Sequence, residues 1–387
     1  MLPLRYSLRN VVVRRSSALL TTLGIALTVA VFAGVLSMRE GFQSIYRSRG
    51  ESDVAIYLRP GAGSEGESAI RRQQAEILIK ERPEIARDAT GKPLAAMETF
   101  LAVYMEQVSG GQVNVPIRGI QPASLEIMGD AVQLLDGRWM RWDSDEVVVG
   151  LPLTERMQGA RIGDTITLNL TPFKVVGVFA HDGAQSSEVW GDVNRMIEAL
   201  DRPFYQRVVA RVQPGTDFAV LTEQLRNDKR VPMQVLSEAD YLAKQTTALS
   251  LQLTFLAGFL TLLMGASAVL GAMNTMLASV ASRTHEIGVL LSLGYSRIAI
   301  FVTFLFESAM IGLVGGSLGV LISLPFDGMG TGMTNFNTFT DVSFSFDVTP
   351  QLMLTSVGLS FALGIIGGAL PALRAARLPP VTALRGG

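Results

Sequence analysis

QTTALSLQLTFLAGFLTLLMGASAVLGAMNTMLASVAS, residues 245–282, is a run of 38 residues without a charged side chain. As one helix it would measure about 57 Å at 1.5 Å per residue, nearly twice a hydrocarbon core of roughly 30 Å. Its first part carries Gln245, Thr246, Thr247, Ser250 and Gln252, so this polar end stands outside the membrane and the remainder spans it. Three more stretches resemble it. Residues 16–38 and 348–373 contain no charge, and 298–326 contains only Glu307. Each is long enough to cross, since about 20 apolar helical residues suffice. The fold class is therefore an α-helical membrane protein with four transmembrane helices and a large α/β extracytoplasmic domain between helices 1 and 2.

Orientation follows from the short loops. Arg5, Arg9, Arg14 and Arg15 precede the first span, Arg283 and Arg297 flank the loop between the second and third, and Arg374, Arg377 and Arg385 follow the fourth. The loop between the third and fourth spans has Asp327, Asp341 and Asp347 and neither Lys nor Arg. The positive-inside rule then places both termini and the 283–297 loop in the cytoplasm, and the inserted domain on the far side. The first apolar run exceeds the 7–15 residues of a signal-peptide core and no clear A-x-A site follows it, so it reads as an uncleaved anchor. A formal net charge of −1 gives no sign of nucleic-acid binding. The absence of cysteine excludes disulfides and thiolate metal sites without identifying the compartment.

The inserted domain reads as mixed α/β. Val54, Ile56 and Leu58 alternate in a strand with one buried face. Residues 70–80 read as a surface helix ended by Pro83, and 102–108 and 113–120 as strands around a Gly110-Gly111 turn. Strands are expected at 146–149, 165–170 and 173–179, with Thr171-Pro172 separating the last two. Two more, at 208–212 and 233–236, bracket a helix at 218–227. Residues 39–50 and 238–252 extend the first and second spans outward as paired helices, a stalk rather than a linker, because they lack the Gly and Pro of a flexible one.

The loop RTHEIGVLLSLGYSR, residues 283–297, carries Ile287, Leu290, Leu291 and Gly294 at i, i+3, i+4 and i+7. That spacing predicts a short amphipathic helix, which Gly294 can end in a left-handed cap. By pattern alone it either rests in the lipid interface or docks a cytoplasmic partner. Small residues recur at spacing four: Ala26, Ala30 and Gly34 in the first span, Gly315 and Gly319 in the third, Gly364 and Gly368 in the fourth. Such spacing allows close helix packing in lipid. Glu307 lies about 15 Å into the third span, where a carboxylate faces protein or pairs. It is either a proton-coupling site or a structural acid, and the second reading is preferred.

Residues 274–297, NTMLASVASRTHEIGVLLSLGYSR, together with 304–307, the 312–319 glycine run and the C-terminal PALRAA and PVTALR at 371–376 and 380–385, resemble ABC transporter permeases of the FtsX-like, MacB type. The start, LRYSLRN with Arg14-Arg15, is similar too, and 146–150 and 162–179 resemble that family's periplasmic core domain. The resemblance implies a permease of the inner (cytoplasmic) membrane that works as a dimer, with a second copy or a related permease, above two ATPase subunits. It implies that Arg283, Glu286, Ile287, Leu290, Leu291 and Tyr295 contact the ATPase, so that changing Leu290 and Leu291 to Asp should abolish ATPase binding. It also implies a core domain over 51–237, with an α/β part at 51–118 and 207–237 and a strand-rich insertion at 119–206. The transmembrane helices are then 16–38, 253–282, 298–326 and 348–373, joined by a cytoplasmic coupling helix at 283–297 and a periplasmic loop at 327–347. Cytoplasmic segments lie at 1–15 and 374–387.

The chemistry expected of this chain is mechanical. A P-loop needs G-x-x-x-x-G-K-[ST], and the only Gly-Lys pair, Gly91-Lys92, is followed by Pro93. ATP and Mg are thus expected on the partner ATPase, with no cofactor, metal or catalytic residue here. Gly315 to Gly319 matches the hydrolase elbow G-x-S-x-G, but inside an apolar span and without a strand–turn–helix context. The two histidines, His181 and His285, fall on opposite sides of the bilayer and cannot share a metal. The function expected is export or extraction of a lipoprotein, lipid, peptide or small toxin, with an adaptor or lipoprotein partner and contact with membrane lipids. The alternatives are signalling to a periplasmic cell-wall hydrolase and a sensor without an ATPase.

Overall fold

The computed structural model describes residues 15–47, 53–335 and 340–379. Arg5, Arg9, Arg14 and Arg385, the motif at 380–385 and the end of the first expected stalk lie outside the described residues. In chain order the elements are α1 (Arg15–Arg47), β1 (Val54–Leu58), α2 (Arg72–Glu81), β2 (Ala95–Glu106), β3 (Gln112–Ile120), α3 (Pro122–Met128), β4 (Val132–Gly137), β5 (Glu146–Gly150) and α4 (Leu151–Arg156). There follow β6 (Thr165–Leu168), β7 (Thr171–His181), β8 (Val189–Asp192), α5 (Val193–Ala199), β9 (Arg207–Arg211), α6 (Phe218–Asn227), β10 (Gln234–Ser237) and α7 (Glu238–Ser282). The chain ends with α8 (Thr284–Ser292), α9 (Arg297–Ser323), β11 (Gly330–Asn335), β12 (Thr340–Ser345) and α10 (Pro350–Ala376). It divides into two compact units, a helical unit of 1–41, 250–329 and 345–387, and an inserted unit of 42–249 and 330–344.

In the helical unit, α1, α7, α9 and α10 are long and apolar enough to cross a membrane. The second is a single helix of 45 residues, about 67 Å long. Its start is well specified. The Ser237 hydroxyl accepts from the Asp240 amide at 3.1 Å, and Glu238 and Asp240 occupy the first turn, where the helix dipole favours negative charge. Helix α10 starts on Thr349, which accepts from the Leu352 amide, with Pro350 just inside, where its missing N–H costs nothing.

Lipid offers no hydrophobic drive between helices, so close backbone contact has to hold them. Helices α9 and α10 meet through Gly312 and Gly364. A Cβ on Gly312 would lie 2.5 Å from the Ser360 carbonyl oxygen, and one on Gly364 2.7 Å from that of Ser308. The Ser308 hydroxyl donates to the Gly364 carbonyl at 2.6 Å. Gly315 and Gly319 face the other way, onto Thr22, Ile25, Ala26 and Val29 of α1. Gly368 abuts Ser308, so each four-spaced glycine pair in these two spans is at a contact. The series in the first span behaves differently. Ala26 is buried, Ala30 is half-buried, and a Cβ on Gly34 would meet nothing within 4 Å. Spacing alone cannot tell which side of a helix has a neighbour.

The inserted unit is built on a ten-stranded sheet in the order β10-β1-β9-β2-β3-β8-β5-β7-β4, with β6 on β7. The long β2 makes it continuous. Ala95 to Glu98 pair with β9, and Thr99 to Glu106 pair with β3. One core gathers Tyr57, Leu78, Val208, Leu221 and Leu225, and another gathers Ile117, Val149, Phe173, Val189 and Met196. Between β6 and β7 the turn falls at Asn169, which has φ +56°, and Pro172 is inside β7, paired with Thr167. The expected break at Thr171-Pro172 therefore falls two residues late. Strands β4 and β8 and helices α3, α4 and α5 were not expected, being four to seven residues long and too short to display a period. Nor were strands expected within 327–347, where β11 and β12 form a hairpin.

Charge is buried at the middle of this sheet. Arg118 of β3, which is 1% exposed, donates to both oxygens of Glu188 at 2.6 and 2.8 Å and to both oxygens of Glu65 at 2.7 Å. It also reaches Glu98 at 3.2 Å. Arg207 of β9 holds Glu98 at 2.6–2.7 Å. Trp190 donates its indole N–H to Glu188 at 2.8 Å, and the Glu65 amide donates to the Tyr241 hydroxyl at 3.2 Å. Burial disfavours the Glu65 carboxylate, but Arg118 and Arg207 outweigh it and hold the group below the usual carboxylate range. Burial prevails at Glu188 and pushes its carboxyl up despite Arg118. Burial also opposes the charge on Arg118, which Glu188 and Glu65 hold well above its ordinary value.

Candidate functional site

The loop after α7 folds as its spacing predicts. Arg283 leaves helical geometry at φ −114°, ψ 12°, and α8 follows at once. Helix α8 ends in a Schellman motif. The Gly294 amide donates to the Leu291 carbonyl at 3.2 Å, the Tyr295 amide to Leu290 at 3.1 Å, and Gly294 takes φ +90°, which glycine adopts without a Cβ penalty. Ser296 caps α9, its hydroxyl accepting from the Ala299 amide. The whole joint from 283 to 297 is thus closed by local hydrogen bonds.

The six residues expected to form one contact surface divide between two faces. Ile287 is 2% exposed and packs with Leu291 on Met276, Val280, Ile300 and Phe304. Leu290 is half-buried, whereas Glu286 and Tyr295 are exposed. The apolar stripe read from the sequence therefore serves first to seat α8 on its own bundle, because burying Ile287 and Leu291 removes them from water. The exposed apolar residues are Val289 and Leu293, which the sequence reading missed. They lie off the stripe, and outward exposure at such positions could have been inferred only after fixing which side is packed.

Arg283 also turns inward. Its Nη1 donates to Glu307 Oε2 at 3.1 Å, with the two side chains 11% and 7% exposed, and its guanidinium lies 5.8 Å from the centre of the Phe304 ring, within cation–π range. Arg283, Ile287, Leu290, Ile300, Thr303 and Phe304 line a small crevice beside the pair. Glu307, the one charge of the third span, thus has an arginine partner at the foot of the second. A carboxylate so placed is compensated, and the pair ties the α7–α8 joint to α9. The Thr21 and Thr275 hydroxyls, 2.6 Å apart, likewise tie α1 to α7. Among the described residues no group of three or more His, Cys, Asp or Glu side chains is placed to hold a metal.

Residues 18–228 match the family described as the MacB-like periplasmic core domain, and residues 258–380 match the FtsX-like permease C-terminal family. The chain is 28% identical over 400 residues to the macrolide export ATP-binding/permease protein MacB of Pasteurella multocida, an alignment covering 95% of this chain and 57% of that protein. It thus spans little more than half the length of that relative. It is 26% identical over 425 residues to the uncharacterised ABC transporter permease YvrN of Bacillus subtilis, covering 99% of this chain and 98% of YvrN. Among solved structures, the periplasmic region of MacB from Actinobacillus actinomycetemcomitans aligns with a TM-score of 0.37 at 17% identity, covering 52% of this chain and 94% of that one.

Proposed function

The chain belongs to the MacB-type, FtsX-like family of ABC transporter permeases, and on that premise we propose that it is the permease subunit that converts ATP hydrolysis by a separate cytoplasmic ATPase into motion of its inserted domain. The placement of charges in the short loops supports a cytoplasmic position for α8 and both termini, and a periplasmic or extracellular one for the inserted domain. One observation carries the reading. A short helix is fixed to the bundle by Ile287 and the Arg283–Glu307 pair, while Glu286, Val289, Leu293 and Tyr295 stay exposed. A helix anchored on one side and bare on the other suits docking, and exposed Val289 and Leu293 would be desolvated by a partner groove. The work done is export or extraction of a substrate from the membrane or the space beyond it, by a dimer of this chain or of this chain with a related permease.

Purification of the tagged protein from its native membranes in mild detergent tests this. A co-purifying ATPase is the expected result. Recovery without one, even after crosslinking in the membrane, overturns the reading. Val289→Asp with Leu293→Asp should abolish co-purification while leaving the protein inserted and folded, since neither residue belongs to the packed core. Leu291→Asp is a poorer probe, because that side chain packs inside the bundle.

A further inference from the structure

The chain passes between its two units four times, at 41–42, 249–250, 329–330 and 344–345. Two of these passages belong to the stalk helices α1 and α7. The other two are the ends of the β11–β12 hairpin, and the inserted unit grips that hairpin. Arg156 of α4 pairs with Asp341 at 2.6 Å and donates to the Ser343 hydroxyl. The Ser343 amide donates to the Ser187 hydroxyl at 3.3 Å. Phe344 meets Phe42 edge-on at 5.7 Å. Thr340, Asp341, Val342 and Phe344 are all buried, as is Ser187. Asp341 is therefore a desolvated carboxylate with a charged partner, the kind of contact whose loss leaves a buried charge uncompensated.

Ser187 is followed directly by Glu188, one of the three carboxylates on Arg118 and Arg207. The same cluster reaches Tyr241, in the first turn of α7, through Glu65. The hairpin and the head of α7 are thus held to one body, the hairpin through the charge-assisted Arg156–Asp341 pair, which is stronger and more directional than a neutral hydrogen bond, and Tyr241 through a neutral bond from the Glu65 amide.

We infer that the hairpin between the third and fourth spans is a permanent attachment of the inserted domain to the membrane helices, fixed by the positioning residues Arg156 and Asp341, so that motion of α9 and α10 reaches the domain as directly as motion of the stalk. This deepens the proposed permease function and rests on it only for the source of the motion.

The absence of cysteine makes site-directed labelling clean. Spin labels go on Leu170→Cys, 90% exposed in the inserted domain, and on Gly330→Cys in the hairpin, where an added side chain meets nothing within 4 Å. Distances are measured by pulsed electron resonance on the full chain, together with whatever ATPase co-purifies. The expected result is one narrow distance, the same without nucleotide and with a non-hydrolysable ATP analogue. Asp341→Ala and Arg156→Ala should each lose that narrow distance, and the exchanged pair Arg156→Asp with Asp341→Arg should recover it. A broad distance in the otherwise native protein, a distance that moves with nucleotide, or an unchanged one in both single variants overturns the inference. If no ATPase is recovered, the permease reading fails, while the nucleotide-free distance and the variants still decide whether the hairpin is fixed.

Discussion

The α7–α8 joint and the sheet of the inserted domain both bury charge, and they do so differently. At the α7–α8 joint Arg283 donates to Glu307 at 3.1 Å, beside an open crevice. In the inserted domain two arginines and three carboxylates share bonds of 2.6–3.2 Å. Breaking one contact in the second leaves several others in place. The first sits where one helix ends and another begins. A contact at a joint can serve two positions of the joint, whereas a multidentate cluster specifies one arrangement. Buried ion pairs are weak evidence for net stability, so what this contrast predicts is chiefly the effect of removing partners.

The largest effect belongs to the cluster. Arg118→Met leaves Glu65 and Glu188 without their main partner and should cost the inserted domain about 3–5 kcal/mol, read as a large drop in the thermal midpoint followed by fluorescence of Trp190. An unchanged midpoint would show that the cluster is not the rigid element described.

The next concerns pH. His181 lies against Trp190, ring centres 6.0 Å apart, and accepts from the Gly183 amide on Nδ1. Burial, aided by the positive charge of Arg118, lowers its pKa from 6.5 to about 4. A histidine held neutral in the fold contributes stability that is fully present above pH 6.5 and is lost as pH falls toward 4. The depression corresponds to on the order of 3 kcal/mol. His181→Gln should flatten the melting profile over that window, and a profile as steep as that of the parent protein would remove His181 as its cause.

The smallest stability effect is expected at the joint. Glu307→Ala should cost about 1–3 kcal/mol yet uncouple the ATPase, lowering its stimulation by the permease without preventing co-purification, whereas Glu307→Gln keeps a hydrogen-bond acceptor and should fall between. Equal effects of the two substitutions on stimulation would detach the pair from coupling.

Much of this was legible in the residues. Apolar runs marked the four helices long and apolar enough to cross a membrane, and Gly294 marked its cap, because both signals are local. The partner of Glu307 was not legible, although Arg283 is only 24 residues away, since nothing in a helical period shows which side chain from the preceding helix crosses to it. The cluster was hidden more completely. Arg118 follows Ile117 in β3, and both faces of that strand are buried, so the alternation that normally marks a solvent face is missing and the arginine reads as an exposed position. Part of the expected docking stripe is packed for a related reason. Periodicity identified an apolar face of α8, but could not show that the bundle takes Ile287 and Leu291 from it.

The Arg156–Asp341 contact joins residues 185 positions apart, and this sets an order of events during synthesis. At roughly 5–20 residues per second, about 10–40 s separate the emergence of Arg156 from that of Asp341. If the inserted domain folds as its own residues emerge, it waits through that interval with the berth beside α4 unfilled, until β11 and β12 follow. A chain truncated before residue 330 would leave that berth open, giving quality-control proteases a surface that the finished protein does not display.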